Sequence, residues 1–191
     1  MPGRRMHGVW LFLLAYVFGC GGAAPAVIPD NENGNYHETA GACVGAVDAP
    51  PQGIVEAEDE QLLSEAMGEE DAGKLCMGKV FSVSAPVKVY RVWNSEADYT
   101  LYGRWWSFDE PKGPREAYRK ANDICEEWSP LDVMSSCILK VGAKIVMGPG
   151  QSVKCENGGY PKSPVNQVYV PNDARNNLLY VEGCSEALPW P

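Results

Sequence analysis

The sequence predicts an α+β domain, compact and mostly antiparallel β with one or two helices, stapled by disulfides. Three observations predict it. Beyond Cys76 the chain is dense in aromatic and β-branched residues and punctuated by Gly and Pro, the composition of short strands and turns. One stretch there, 115–125, places Ala117, Ala121 and Ile124 at helical spacing. Cys43, Cys76, Cys125, Cys137, Cys155 and Cys184 form an even set once Cys20 is set aside, which in an exported chain reads as a disulfide framework. Six cysteines allow many connectivities, and the sequence does not choose among them.

The elements follow in order. Arg4 and Arg5 precede an apolar run over 9–18 that ends in Gly19-Cys20. That is export-signal architecture, and the run is well short of the roughly 20 residues a spanning helix needs. Cys20 stands where a bacterial lipoprotein carries its lipid. The expectation is an exported lipoprotein, periplasmic or on the cell surface, held to the membrane through a lipid on Cys20. An ordinary signal peptide cut near Ala24 or Ala26 is the alternative. Residues 20–55, rich in Gly, Ala, Pro, Asn and Asp, read as a disordered tether. Residues 56–75 read as an acidic linker or short helix carrying Leu62, Leu63 and Met67. The domain is expected over 76–191. Its strands are expected at 81–85, 87–93, 104–108, 133–140, 143–147, 165–170 and 178–181. The helix at 115–125 lies between the third and fourth of these, and a Gly-Pro-Gly turn follows the fifth.

Composition excludes several kinds of chemistry. The formal charge is −9, and cleavage after residue 19 would remove two arginines and no acid, so general electrostatic binding of nucleic acid is excluded. No dinucleotide fingerprint, phosphate loop or paired-histidine zinc motif occurs. The two histidines, His7 and His37, both precede the domain, so it contains no Ser-His or Cys-His pair. No two cysteines are at C-x-x-C spacing, and no metal site is expected.

Three pieces could carry chemistry. Arg91 sits inside the apolar strand Val-Tyr-Arg91-Val. A strand arginine at a buried surface needs an anionic partner, and its fork suits phosphate or carboxylate; a surface arginine or structural ion pair is the plainer reading. Trp105 and Trp106 point to opposite faces of their strand, so one would be core while the other could stack on a planar ring. Ser107 would share the face of Trp105. Gln151 follows the Gly-Pro-Gly segment, where backbone can approach a ligand closely, and Gln167 lies on a later strand.

The order of these pieces resembles the ADP-ribosyltransferase fold: a strand arginine, then a strand with an aromatic and Ser, then a catalytic strand. Here those are Val-Tyr-Arg91-Val, Gly-Arg-Trp-Trp-Ser107 and Gln167-Val-Tyr-Val-Pro171. Glutamine replaces the usual glutamate on the last strand. That is similar to the tuberculosis-necrotizing-toxin-like NAD glycohydrolases, which also have a Gly-Pro segment with a second glutamine before that strand. The glycine-rich stretch that follows there is only Asn157-Gly-Gly159 here. The resemblance implies NAD as substrate rather than cofactor, and hydrolysis of its nicotinamide–ribose bond by an exported toxin, with an immunity protein as a further partner. It assigns Gln167 and Arg91 to catalysis and Trp105, Trp106, Ser107 and Gln151 to substrate binding. Glu182 is the backup carboxylate. Two other functions remain open: ADP-ribosyl transfer to a protein, which would require Glu182 or Glu127 in the site, and a non-enzymatic envelope module that binds a ligand.

Overall fold

Alternation of apolar residues along paired strands sets the layers of the fold. The computed structural model describes residues 42–191; the signal segment, Cys20 and tether residues up to 41 lie outside the described residues. In chain order the elements are β1 (Ile54–Glu56), α1 (Glu60–Ala66), β2 (Lys79–Val83), β3 (Val87–Trp93), β4 (Trp105–Trp106), α2 (Arg115–Asn122), β5 (Val133–Leu139), β6 (Lys144–Gly150), β7 (Val153–Cys155), β8 (Gly158–Tyr160), β9 (Ser163–Tyr169), β10 (Val181–Glu182) and β11 (Leu188–Pro189). Pairing among these strands is antiparallel throughout. One sheet runs β1-β2-β6-β9-β4; in a second, β5 pairs with β3, β10 and β11; β7 and β8 form a separate two-stranded sheet. A bridge between Tyr90 and Ser107 joins the sheets where β3 passes the end of β4. The class is α+β, as the composition predicts.

In the first sheet Val80, Val146 and Tyr169 pack against Leu62, Leu63 and Ala66 of α1. Their neighbours Phe81, Ile145 and Val168 belong to the opposite cluster, with Val89 and Leu139 from the second sheet. This is the two-faced pattern expected of strands. Asp59 caps α1 by accepting the Leu62 N–H at 3.0 Å, a bond that holds its carboxyl below the ordinary range. The cysteines pair as Cys43–Cys76, Cys125–Cys155 and Cys137–Cys184.

Several parts of the chain differ from their sequence reading; the strand expected at 178–181 is reduced to β10 at Val181–Glu182. Within the expected tether, the segment from Cys43 is stitched into the domain by the Cys43–Cys76 bridge and by β1 pairing with β2. Low local hydrophobicity is overridden there by a covalent bond and one buried anchor, Ile54. The Gly-Pro-Gly segment is not a turn but the end of β6. Its glycines serve close packing: a Cβ on Gly148 would stand 2.0 Å from the Met77 carbonyl oxygen. The helix stops at Asn122, because Asp123 takes a left-handed conformation at φ 55°. Arg119 is buried, whereas Ala117, one of the three residues at helical spacing, is exposed. Among the described residues no helix is long and apolar enough to cross a membrane.

Candidate functional site

The site begins with Arg91 on β3. Its Nε donates to the Thr100 carbonyl at 2.8 Å and its Nη1 to the Trp105 carbonyl. The guanidinium therefore ties the turn Asp98–Tyr102 to β4. It also stands 5.9 Å from the Trp106 ring centroid. Gly103 is required beside it, since a Cβ there would lie 2.1 Å from Nη2. Among the described residues no carboxylate forms an ion pair with Arg91. Desolvation brings its pKa down to about 10, so it stays cationic at neutral pH.

Arg91, Trp105 and Gln167 line one cavity of about 200 Å³, together with Lys74, Asp123 and Leu131. Trp105 and Gln167 reach the same face through pairing. Trp105 is opposite Tyr169, two residues along β9 from Gln167, and residues two apart share a face. The Trp105 ring meets Tyr169 edge-on at 5.1 Å. Trp106 points the other way into the core, and its indole N–H donates to the Gly103 carbonyl at 2.8 Å. The tryptophan pair thus divides into one core and one cavity residue.

Sequence reasoning missed the most unusual group in this cavity. Asp123 is 3 % exposed. Its Oδ2 accepts a long bond of 3.4 Å from Gln167 Nε2, and its Oδ1 is buried with no hydrogen-bond partner. Desolvation pushes the carboxyl up to about 8. Gly150 makes room for it, since a Cβ there would fall 1.8 Å from Oδ2 and 2.9 Å from Gln167 Nε2. The pairing of β6 with β9 shifts register between Pro149 and Gly150, an irregularity of the kind found beside functional sites. One local signal marks the position, though not its burial: Asn122 and Asp123 are residue types that tolerate the left-handed region where the helix ends.

A larger open groove of about 730 Å³ adjoins this cavity. Asn122 lines both spaces, and Ser107, Tyr118 and Asn166 line the groove. Burial raises the Tyr118 phenol to about 12, so it stays protonated. Ser107 thus faces the outer groove rather than sharing the cavity of Trp105; its hydroxyl donates to the Asp109 carbonyl. Ala117 and Ala121 of α2 line this groove as well.

The remaining assigned residues lie elsewhere. Gln151 is fully buried and lines neither space; its Nε2 donates to the Gly68 carbonyl at 3.3 Å and its Oε1 accepts from Ser152 N–H at 2.9 Å. Glu182 is exposed on β10, opposite Ile138, and lines neither space. Glu127 is also exposed and accepts the Glu156 N–H at 2.9 Å. It stands beside Cys125 and Cys155, but those two sulfurs are bonded to each other. Cys20 lies outside the described residues. No protein-family model, curated protein or solved structure matches this chain.

Proposed function

We propose that the protein hydrolyses NAD at the nicotinamide–ribose bond, as an exported member of the ADP-ribosyltransferase-like glycohydrolases. The observation that carries this reading is convergence: Arg91, Trp105 and Gln167 come from three separate segments and line one cavity. Departure of nicotinamide leaves oxocarbenium-like charge on ribose, as in glycoside cleavage. Trp105 offers a face for the planar ring. Gln167 offers amide groups to the ribose hydroxyls. Arg91 keeps a net positive charge toward the pyrophosphate, using the guanidinium hydrogens not bound to Thr100 and Trp105. The outer groove is within the roughly 300–1,000 Å³ of typical ligand sites and would take the adenosine half along Ser107 and Asn166.

The test is nicotinamide release by the oxidised protein, beside Arg91→Ala and Gln167→Ala. Release by the parent that both variants lose supports the reading; no release overturns it. Free ADP-ribose as the product marks hydrolysis, whereas label retained on a protein marks transfer. The lipid anchor is tested separately, by the mass of the N-terminal peptide beginning at Cys20.

A non-enzymatic ligand-binding domain is the second reading. The two backbone carbonyls that already engage Arg91 favour it. It expects no nicotinamide release, and a ligand-induced rise in melting temperature that Trp105→Ala removes.

A further inference from the structure

A glutamine can orient a substrate but cannot take a proton. If Gln167 occupies the catalytic strand, proton transfer in this cavity falls to another group. Among the described residues three titratable side chains line it: Lys74, Arg91 and Asp123. The Nζ of Lys74 donates to the Glu65 carbonyl at 3.0 Å, and Arg91 stays cationic. Arg119 of α2 turns to the carbonyls of Cys125, Ser129 and Pro130. Asp123 alone combines acid–base capacity, a place in the wall and a buried oxygen without a partner.

We propose that Asp123 is the proton acceptor of the inner cavity, positioned by Gln167. This rests on the NAD-cleaving reading. In the step, the oxygen of a water bonds to the ribose anomeric carbon as the bond from that carbon to the pyridinium nitrogen breaks. The bonding pair stays on the nitrogen, so nicotinamide leaves neutral. The proton of the water passes to Asp123 Oδ1 and then to solvent. Products are nicotinamide, ADP-ribose and one proton, and no redox partner is needed.

Three features fit this role. The Gln167 bond to Oδ2 fixes the carboxyl and leaves Oδ1 as the free acceptor. Gly150 lets β6 approach closely enough to hold it. Asp123 shares its wall with the cationic Arg91, and desolvation raises its carboxyl. A carboxyl near 8 is poised close to working pH, where general-base efficiency is greatest.

The experiment is the pH profile of nicotinamide release from about pH 5 to about pH 10. It compares the parent, Asp123→Asn, and Asp123→Ala with and without formate. Asn is isosteric and tolerates the left-handed backbone at this position, so Asp123→Asn should fold, as its melting curve will report. We expect the parent rate to rise with pH, reach half its maximum near pH 8 and level off above that. Asp123→Asn should be slower by about 100-fold or more and lack the rising limb, and formate should partly restore Asp123→Ala. A parent that releases nicotinamide beside an Asp123→Asn variant within about threefold of it overturns Asp123 alone, since general-base removal should cost far more. Loss of rate without formate rescue makes Asp123 a structural residue and also overturns the proposal. No release by the parent overturns both the acceptor and the NAD reading.

Discussion

Arg119 is buried and Arg91 half-buried, and among the described residues neither pairs with a carboxylate, yet their surroundings differ. Arg119 donates to three carbonyls, of Cys125, Ser129 and Pro130, at 3.1, 2.7 and 3.3 Å. It lines neither the cavity nor the groove. It closes a loop that the Cys125–Cys155 bridge also holds. Arg91 binds only two carbonyls and faces a cavity that holds an incompletely bonded carboxyl. One region is satisfied within itself. The other leaves charge and hydrogen-bonding capacity unmet, which is where an external ligand can act.

The sharpest way to break this comparison is Arg119→Met. It orphans three carbonyls that now accept from a charged donor, so a loss of about 4 kcal/mol is expected in urea unfolding. A loss comparable to that of a surface substitution would mean that the loop is held by its disulfide alone.

The pH dependence of stability probes the other region. The Asp123 carboxyl rests near 8 in the folded protein and near 4 when unfolded. Between these values the folded state holds a proton that the unfolded state has released. The contribution is therefore full below about pH 4, falls as pH rises and is gone above about pH 8. The slope approaches about 1.4 kcal/mol per pH unit, or about 3 kcal/mol from pH 5 to pH 7. Asp123→Asn should remove that slope and be more stable than the parent at pH 8. Parallel stability curves for the two proteins would place the carboxyl in its ordinary range.

Gly103→Ala sharpens the role of Arg91. The new methyl collides with Nη2, so the guanidinium must shift from its place beside the Thr100 and Trp105 carbonyls. We expect a cost of about 2 kcal/mol by thermal unfolding and, under the NAD reading, loss of nicotinamide release. The smallest effect is expected from Glu182→Gln, exposed and outside both spaces. It should shift stability by less than about 0.5 kcal/mol and leave nicotinamide release unchanged; a large fall in turnover would move the site to β10.

Local pattern made much of the fold legible. The strand Val87–Trp93 falls where its alternation puts it, and the acidic segment folds as α1 with Leu62 and Leu63 inward. The even cysteine set pairs completely. Adjacent tryptophans had to face apart, since strand side chains alternate. Period and parity are carried by neighbouring residues, so one sequence suffices to read them.

Which cysteine meets which, and which polar groups meet at all, depended on the tertiary structure. Gly148 and Gly150 look like turn residues in the chain, yet a Cβ on either would collide with another segment, the Met77 carbonyl or the Asp123 carboxyl. Asp123 looks like an ordinary helix end until β6 and β9 enclose it beside Gln167. Its burial is set by chain 25 or more residues away, and no local pattern encodes that. The sequence by itself determined the class and the opposed faces of the two tryptophans, and it offered Arg91 and Gln167 among its candidates. Only the tertiary structure decided that Arg91, Trp105 and Gln167 share a wall with a desolvated carboxyl, because burial and missing partners are properties of the packed chain.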